Sequence, residues 1–199
     1  MSKKDKILEL AREQGIVRPR DVEAIGIPRE YLIRLYREGQ LERIKRGMYS
    51  LPDTQVTERQ SLMEVSKQAP NAVICLISAL DFHELTTQIP HEVWIAIKKS
   101  SWKPNIDYPP LNVSYFSGQS LLYGIHKHKI NGVTVNIYNP AKTVADCFKF
   151  RNKIGQDVAI EALRETWRYR KATINELWEA AKVCRVARVM RPYLEAIVW

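Results

Sequence analysis

Arg29, Arg34 and Arg37 recur beside Ile33 in the run "IPREYLIRLYREGQLERIKRGMYSLP", residues 27–52. Placed on a helix at ~100° per residue, Tyr31, Leu32, Leu35 and Tyr36 share one arc, and Arg29, Glu30, Ile33, Arg34 and Arg37 share the opposite one. An outward arginine can donate two hydrogen bonds to a guanine edge in a major groove, and an apolar neighbour such as Ile33 can touch a thymine methyl. Directly after this helix, Arg43, Lys45 and Arg46 crowd a short alternating segment, with Tyr49 just beyond. A basic hairpin there would lie along the phosphate backbone or dip into the minor groove. The rival use of these arginines is ordinary solvation, with Glu30 and Glu38 in i+4 reach of Arg34. Helix, basic hairpin and local positive charge together favour duplex DNA, with sequence read mainly by Arg29, Ile33, Arg34 and Arg37.

A second basic run, "RETWRYRK", sets Arg164, Arg168, Arg170 and Lys171 around Trp167 and Tyr169. Cations interleaved with aromatic rings suit a nucleic-acid backbone and stacked bases. They equally suit a helix end whose carbonyls favour cations and whose tryptophan is buried. Both readings stand. Arg185, Arg188 and Arg191, spaced by three, would extend such a surface along one helix face.

Enzymatic constellations are weaker. His126 and His128 alternate in "HKH" and would share a strand face, but no cysteine or carboxylate stands at a companion spacing for a metal. His83 precedes Glu84 without an H-E-x-x-H pattern, and neither a phosphate-binding loop nor a nucleophile elbow is present. Lys142 and Asp146 read as a cap and an i+4 contact. A nuclease would need clustered carboxylates with a nearby lysine; Glu92 and Lys98 are too far apart. No catalytic residue, metal or cofactor is expected.

The chain has 199 residues and a net charge of +9. Residues 1–52 carry 12 basic and 8 acidic side chains, residues 53–138 carry 7 and 7, and residues 139–199 carry 12 and 7. The positive charge sits at both ends, where it would attract a polyanion through counterion release. No apolar run reaches the ~18 residues of a membrane span, and the charged, amphipathic start does not read as a signal peptide. Three widely spaced cysteines (Cys75, Cys147, Cys184) argue against a disulfide framework and for a reducing cytoplasm.

The elements that must position these groups can be read in outline. Ser2 and Asp5 resemble a capping box for a helix over 2–14 that stops at Gly15. Pro19 opens a second helix ending at Gly26, and Pro28 a third ending near Glu38 and Gly39. Arg46-Gly47 marks a hairpin. Helix, helix, helix and hairpin is the order of a winged helix-turn-helix, placed over residues 1–52. Residues 55–69 read as a helix leaving that unit. Residues 72–85 are apolar and end in a helix; strands follow at 92–98, 111–117, 121–130 and 133–139, with Asn131-Gly132 as a hairpin turn. Helices close the chain at about 140–150, 156–168, 173–183 and 187–198, the last bearing Pro192. The expected class is α+β: a winged helix-turn-helix, then over residues 56–199 a mixed domain with a small, mainly antiparallel sheet and C-terminal helices.

The run "GIPREYLIRLYREGQLERIKRGMYSLP", with Leu32-x-x-Leu35 and Gly47-x-Tyr49, resembles the N-terminal domain of the AbiEi family, antitoxins of type IV toxin–antitoxin and abortive-infection systems. "AVICLISALDFHELTTQIPHEVWIAI" and "NPAKTVADCFKFRNKIGQDVAIEALRE" are similar to the core and helical part of full-length members. The resemblance implies a winged domain that binds and represses the promoter of its own operon, with copies associating on repeated half-sites. It further implies a C-terminal domain that counters a nucleotidyltransferase toxin without requiring a stable complex. The residues alone reach only a DNA-binding winged helix followed by a second basic domain. Two other readings remain: a winged-helix regulator with no toxin partner, and an interaction module for an acidic protein.

Overall fold

A computed structural model describes residues 2–52 and 59–198, with the side chains of Lys45 and Val198 outside the description. The described residues within 1–67 and 129–134 form one compact unit, and those within 68–128 and 135–199 form another.

In the first unit, α1 (Lys3–Gln14) begins at the expected capping box: Ser2 Oγ accepts from the Asp5 amide, and the Asp5 carboxylate accepts from the Ser2 amide. Pro19 opens α2 (Pro19–Ala24), whose missing N–H is no loss in a first turn. Next come α3 (Glu30–Arg37), then the strands β1 (Glu42–Lys45) and β2 (Met48–Ser50), paired antiparallel. Ile7, Ala11, Val17, Val22, Ile27, Leu32, Leu35 and Leu41 form one core. Val17 and Tyr49 exchange both backbone hydrogen bonds, at 2.9 and 3.0 Å. This bridge gives β2 a neighbour on its other edge, which the hairpin pattern alone does not reveal. α4 (Gln60–Gln68) follows; the start of the helix expected over 55–69 lies outside the described residues. The Asn131-Gly132 turn also belongs to this unit. Both residues have positive φ, 45° and 77°, as a type I′ turn requires.

A five-stranded sheet, in the order β5-β4-β3-β7-β6, belongs to the second unit apart from residues 129–130 and 133–134 at the adjoining ends of β6 and β7. Its strands are β3 (Val73–Ile74), β4 (Val93–Lys98), β5 (Leu111–Phe116), β6 (Ile125–Ile130) and β7 (Val133–Tyr138). β3 runs antiparallel to β4 but parallel to β7, and β4 runs parallel to β5. The proline-rich stretch between β4 and β5 is long enough to return the chain for a parallel neighbour. The short helices α5 (Leu76–His83) and α6 (Gln119–Leu122) flank strands; α6 takes the start of the run expected as a strand from residue 121. Five helices complete the chain: α7 (Pro140–Lys149), α8 (Arg151–Ile154), α9 (Gln156–Arg168), α10 (Ile174–Val183) and α11 (Ala187–Val198). α7 is buried along most of its length and forms the centre of this unit's core, with Val144, Ala145, Cys147 and Phe148 at zero exposure. The class is α+β.

Candidate nucleic-acid interface

α3 is built for two environments. Leu32 and Leu35 are fully buried, each contributing roughly 1.5–3 kcal/mol of burial. Gly39, at φ 71°, closes the helix in a left-handed turn, with Gln40 N–H donating to Leu35 O at 2.9 Å. Arg34 and Arg37 stand exposed on the other face, and Ile33 keeps 38% of its surface. Arg29 sits at the N-cap position with its side chain 65% exposed, 3.8 Å from Glu30. Glu38 is drawn instead to Lys4, at 2.6 Å. No ion pair forms to Arg34 or Arg37 among the described residues, and Arg34 rests over the Tyr31 ring at 5.4 Å. The pairing of Arg34 with Glu30 or Glu38 is therefore absent. Three guanidinium groups and Ile33 share one exposed helix.

β1 and β2 place Arg43 and Arg46 on the exposed surface of the hairpin, with Gly47 at φ 77° in the turn. The Lys45 side chain lies outside the described residues. Tyr49 corrects the sequence reading. Its side chain is 7% exposed and joins the core of the first unit, edge-on to Tyr36 with ring centroids 5.8 Å apart. Paired on both edges, to Arg43 and to Val17, Tyr49 sits mid-sheet and its ring is covered. Tyr36, expected to face inward, keeps 41% of its surface on the same helix as the exposed arginines.

A further basic group escaped the sequence reading because its members are far apart in the chain. Arg18, nine-tenths buried, caps α2, and Arg20 and Lys67 lie around Asp21. Lys67 Nζ donates to Ile16 O and, at 3.2 Å, to Gln14 Oε1. Burial brings the Arg18 guanidinium down to about 10 and also lowers the Lys67 ammonium.

In the second unit, Arg164, Arg168, Arg170 and Lys171 are all exposed. Arg168 faces Glu165 at 3.9 Å, and Lys171 faces Glu84 at 3.9 Å. Trp167, buried in the bland reading of this run, is 37% exposed. Arg185 precedes α11, whereas Arg188 and Arg191 lie on it; Arg191 is tied to Glu195 at 2.7 Å. His126 and His128 do share a face, with ring centroids 6.5 Å apart. No group of three or more His, Cys, Asp or Glu is placed to hold a metal among the described residues. His83 Nε2 donates to Tyr138 O at 2.7 Å, and burial holds its imidazole down at about 4. Glu92 accepts from Asn112 at 2.7 Å, while Lys98 ends β4 in solvent.

Lys142 and Asp146 make the expected i+4 contact, but at zero exposure, and the cap of α7 is Asn139. The ammonium lies 4.1 Å from the Tyr138 ring and 4.7 Å from the Phe116 ring. Cys184 Sγ donates to the other Asp146 oxygen at 3.3 Å. Burial raises the Asp146 carboxyl despite Lys142.

Residues 5–52 match the family model described as transcriptional regulator, AbiEi antitoxin. The family likeness is thereby borne out over the winged segment, in a family of regulators rather than an enzyme class. Over 97% of this chain and 80% of the other, the fold is similar to the crystal structure of the RV2827C protein from Mycobacterium tuberculosis, at 10% identity and a TM-score of 0.58. No curated protein matches the chain. No described helix is long and apolar enough to cross a membrane.

Proposed function

We propose that this protein is the DNA-binding antitoxin of a type IV system. Its winged segment, residues 1–52, binds double-stranded DNA in the promoter of its own operon and represses it, with copies associating on repeated half-sites. Residues 56–199 counter a nucleotidyltransferase toxin without needing a stable complex, and the protein works in the cytoplasm. The observation that carries the DNA reading is the exposed face of α3, where Arg34 and Arg37 have no acidic partner among the described residues. Arg29, Ile33, Arg34 and Arg37 read bases, while Arg43, Lys45 and Arg46 lie on phosphates. The family match of residues 5–52 supports the regulatory half of this reading; the antitoxin half rests on the family's description.

A mobility-shift assay with the protein's own promoter, repeated across a salt series, tests the first half. The three phosphate contacts assigned to Arg43, Lys45 and Arg46 give a slope of log K against log salt of roughly −2.7; a flat dependence would point to an acidic protein partner instead. Co-expression with an adjacent nucleotidyltransferase tests the second half. The full chain should relieve growth arrest, and so should Arg34→Ala/Arg37→Ala, which no longer represses. If no such reading frame adjoins the gene, the protein is a winged-helix regulator without a toxin.

A further inference from the structure

The end of α9 and the start of α10 wall a cavity of about 660 Å³ lined by Trp167, Arg168, Arg170, Ala172, Thr173 and Ile174. Small-molecule sites commonly measure ~300–1,000 Å³. Ala172 and the half-buried Ile174 give it an apolar floor, and the indole of Trp167 forms part of its wall. Arg170 is exposed, with no acidic partner among the described residues, whereas the nearby Arg168 has only the loose approach to Glu165. The cavity is therefore lined by two cations and no carboxylate. At the start of α10 a capping box closes, in which the Thr173 amide donates to the Glu176 carboxylate and the Glu176 amide to Thr173 Oγ1.

The backbone adds a second observation. Arg170 N–H donates to Trp167 O at 3.1 Å and Lys171 N–H to Thr166 O at 3.0 Å. This closure places Arg170 at φ 51°, a left-handed position that glycine fills without steric penalty. Arg185 takes the same conformation after α10, at φ 61°. A smaller cavity, about 340 Å³ and lined by Trp178, Ala187, Arg188 and Arg191, also contains Glu195, which neutralises Arg191. Of these two cavities, the larger combines a tryptophan, an apolar floor and two guanidinium groups, of which Arg170 has no acidic partner among the described residues.

We propose that this cavity binds a nucleotide, its base stacked on Trp167 and its phosphate held between Arg168 and Arg170. Every base has a π-face for an indole, and planar guanidinium groups match phosphate oxygens in pairs. Inorganic phosphate would leave the indole and the apolar floor unused, and a nucleoside would leave both arginines unused. The ligand is either a free mononucleotide or one residue of a single strand, with the same chemistry. All of the cavity's lining residues belong to the second unit.

Calorimetric titration of the full chain with AMP, adenosine, inorganic phosphate and a short single-stranded oligonucleotide tests this. The oligonucleotide arm is run in the Arg34→Ala/Arg37→Ala background, so that α3 does not contribute. AMP should bind at least about tenfold more tightly than adenosine or phosphate. Arg170→Gly keeps the turn, so Tm should hold or rise while AMP affinity falls about tenfold or more. Trp167→Phe should retain binding and Trp167→Leu should weaken it. An oligonucleotide that binds more tightly than AMP, and loses this with Arg170→Gly, identifies the polymer as the source; equal affinities identify the free nucleotide. The proposal is overturned if AMP binds no better than phosphate, if Arg170→Gly binds as wild type does, or if neither ligand binds.

Discussion

Arg34 and Arg37 stand in solvent on α3 with no acidic partner among the described residues, whereas Lys142 and Asp146 on α7 are sealed at zero exposure, locked to each other and roofed by two aromatic rings. Both are charged groups on helices, and both helices carry a buried apolar stripe. The first unit leaves cations where water solvates them, so they add almost nothing to folding and are available to a partner. The second unit takes a cation and an anion out of water together. Each is then tolerable only because the other is present, and neither can reach a ligand. Exposure thus separates the charges that can recognise a partner from those that hold the fold.

The largest effect that would sharpen this contrast is on stability. Lys142→Met alone strands the Asp146 carboxylate, and should cost about 3–5 kcal/mol in urea unfolding. Lys142→Met with Asp146→Leu should recover most of that loss. A single variant that unfolds like wild type would show that the pair is not a structural unit.

Next comes binding. Arg34→Ala and Arg37→Ala should each cost about 1–3 kcal/mol of promoter affinity where the arginine makes a bidentate base contact. Each should leave unfolding within about 0.5 kcal/mol of wild type. Loss of stability without loss of affinity would reverse the contrast between the two helices.

A third effect is pH-dependent and confined to the second unit. His83 has an ordinary value of 6.5 and lies at about 4 in the folded protein. Its folded value is depressed, so the unfolded chain binds the extra proton between those limits. The His83 contribution is complete above about pH 6.5, is lost as pH falls towards 4, and changes no further below that. Lowering pH from 7 to 5 should therefore reduce unfolding free energy by about 2 kcal/mol. Urea titrations of wild type and His83→Gln at both values check this, the variant having the shallower dependence.

The smallest effect separates packing from contact within the hairpin. Tyr49→Phe keeps the buried ring and should change promoter affinity by less than about 0.5 kcal/mol. A larger loss, with the fold intact, would restore Tyr49 to the interface.

Most elements were legible because their signals are local. The Ser2–Asp5 capping box, Pro19, the Arg46-Gly47 and Asn131-Gly132 turns and the helices after Pro140 each follow from residues within one or two turns of each other. The outward set on α3 was legible for the same reason, since helical period assigns a face without knowing the neighbour. Tyr36 is more exposed than that reading expected, and Tyr49 is buried because period cannot say which strand gains a second partner. That was decided by Val17, thirty-two positions upstream of Tyr49 in the chain.

The sequence by itself therefore determined the order of the elements, the α+β class and the polar face of α3, all set by torsional preference and short-range periodicity. Tertiary structure alone decided strand directions in the larger sheet, the burial of Lys142 with Asp146, and the gathering of Arg18, Arg20 and Lys67 about Asp21. Desolvation depends on every segment that closes over a group, and such segments meet in space with no trace in the spacing of the chain.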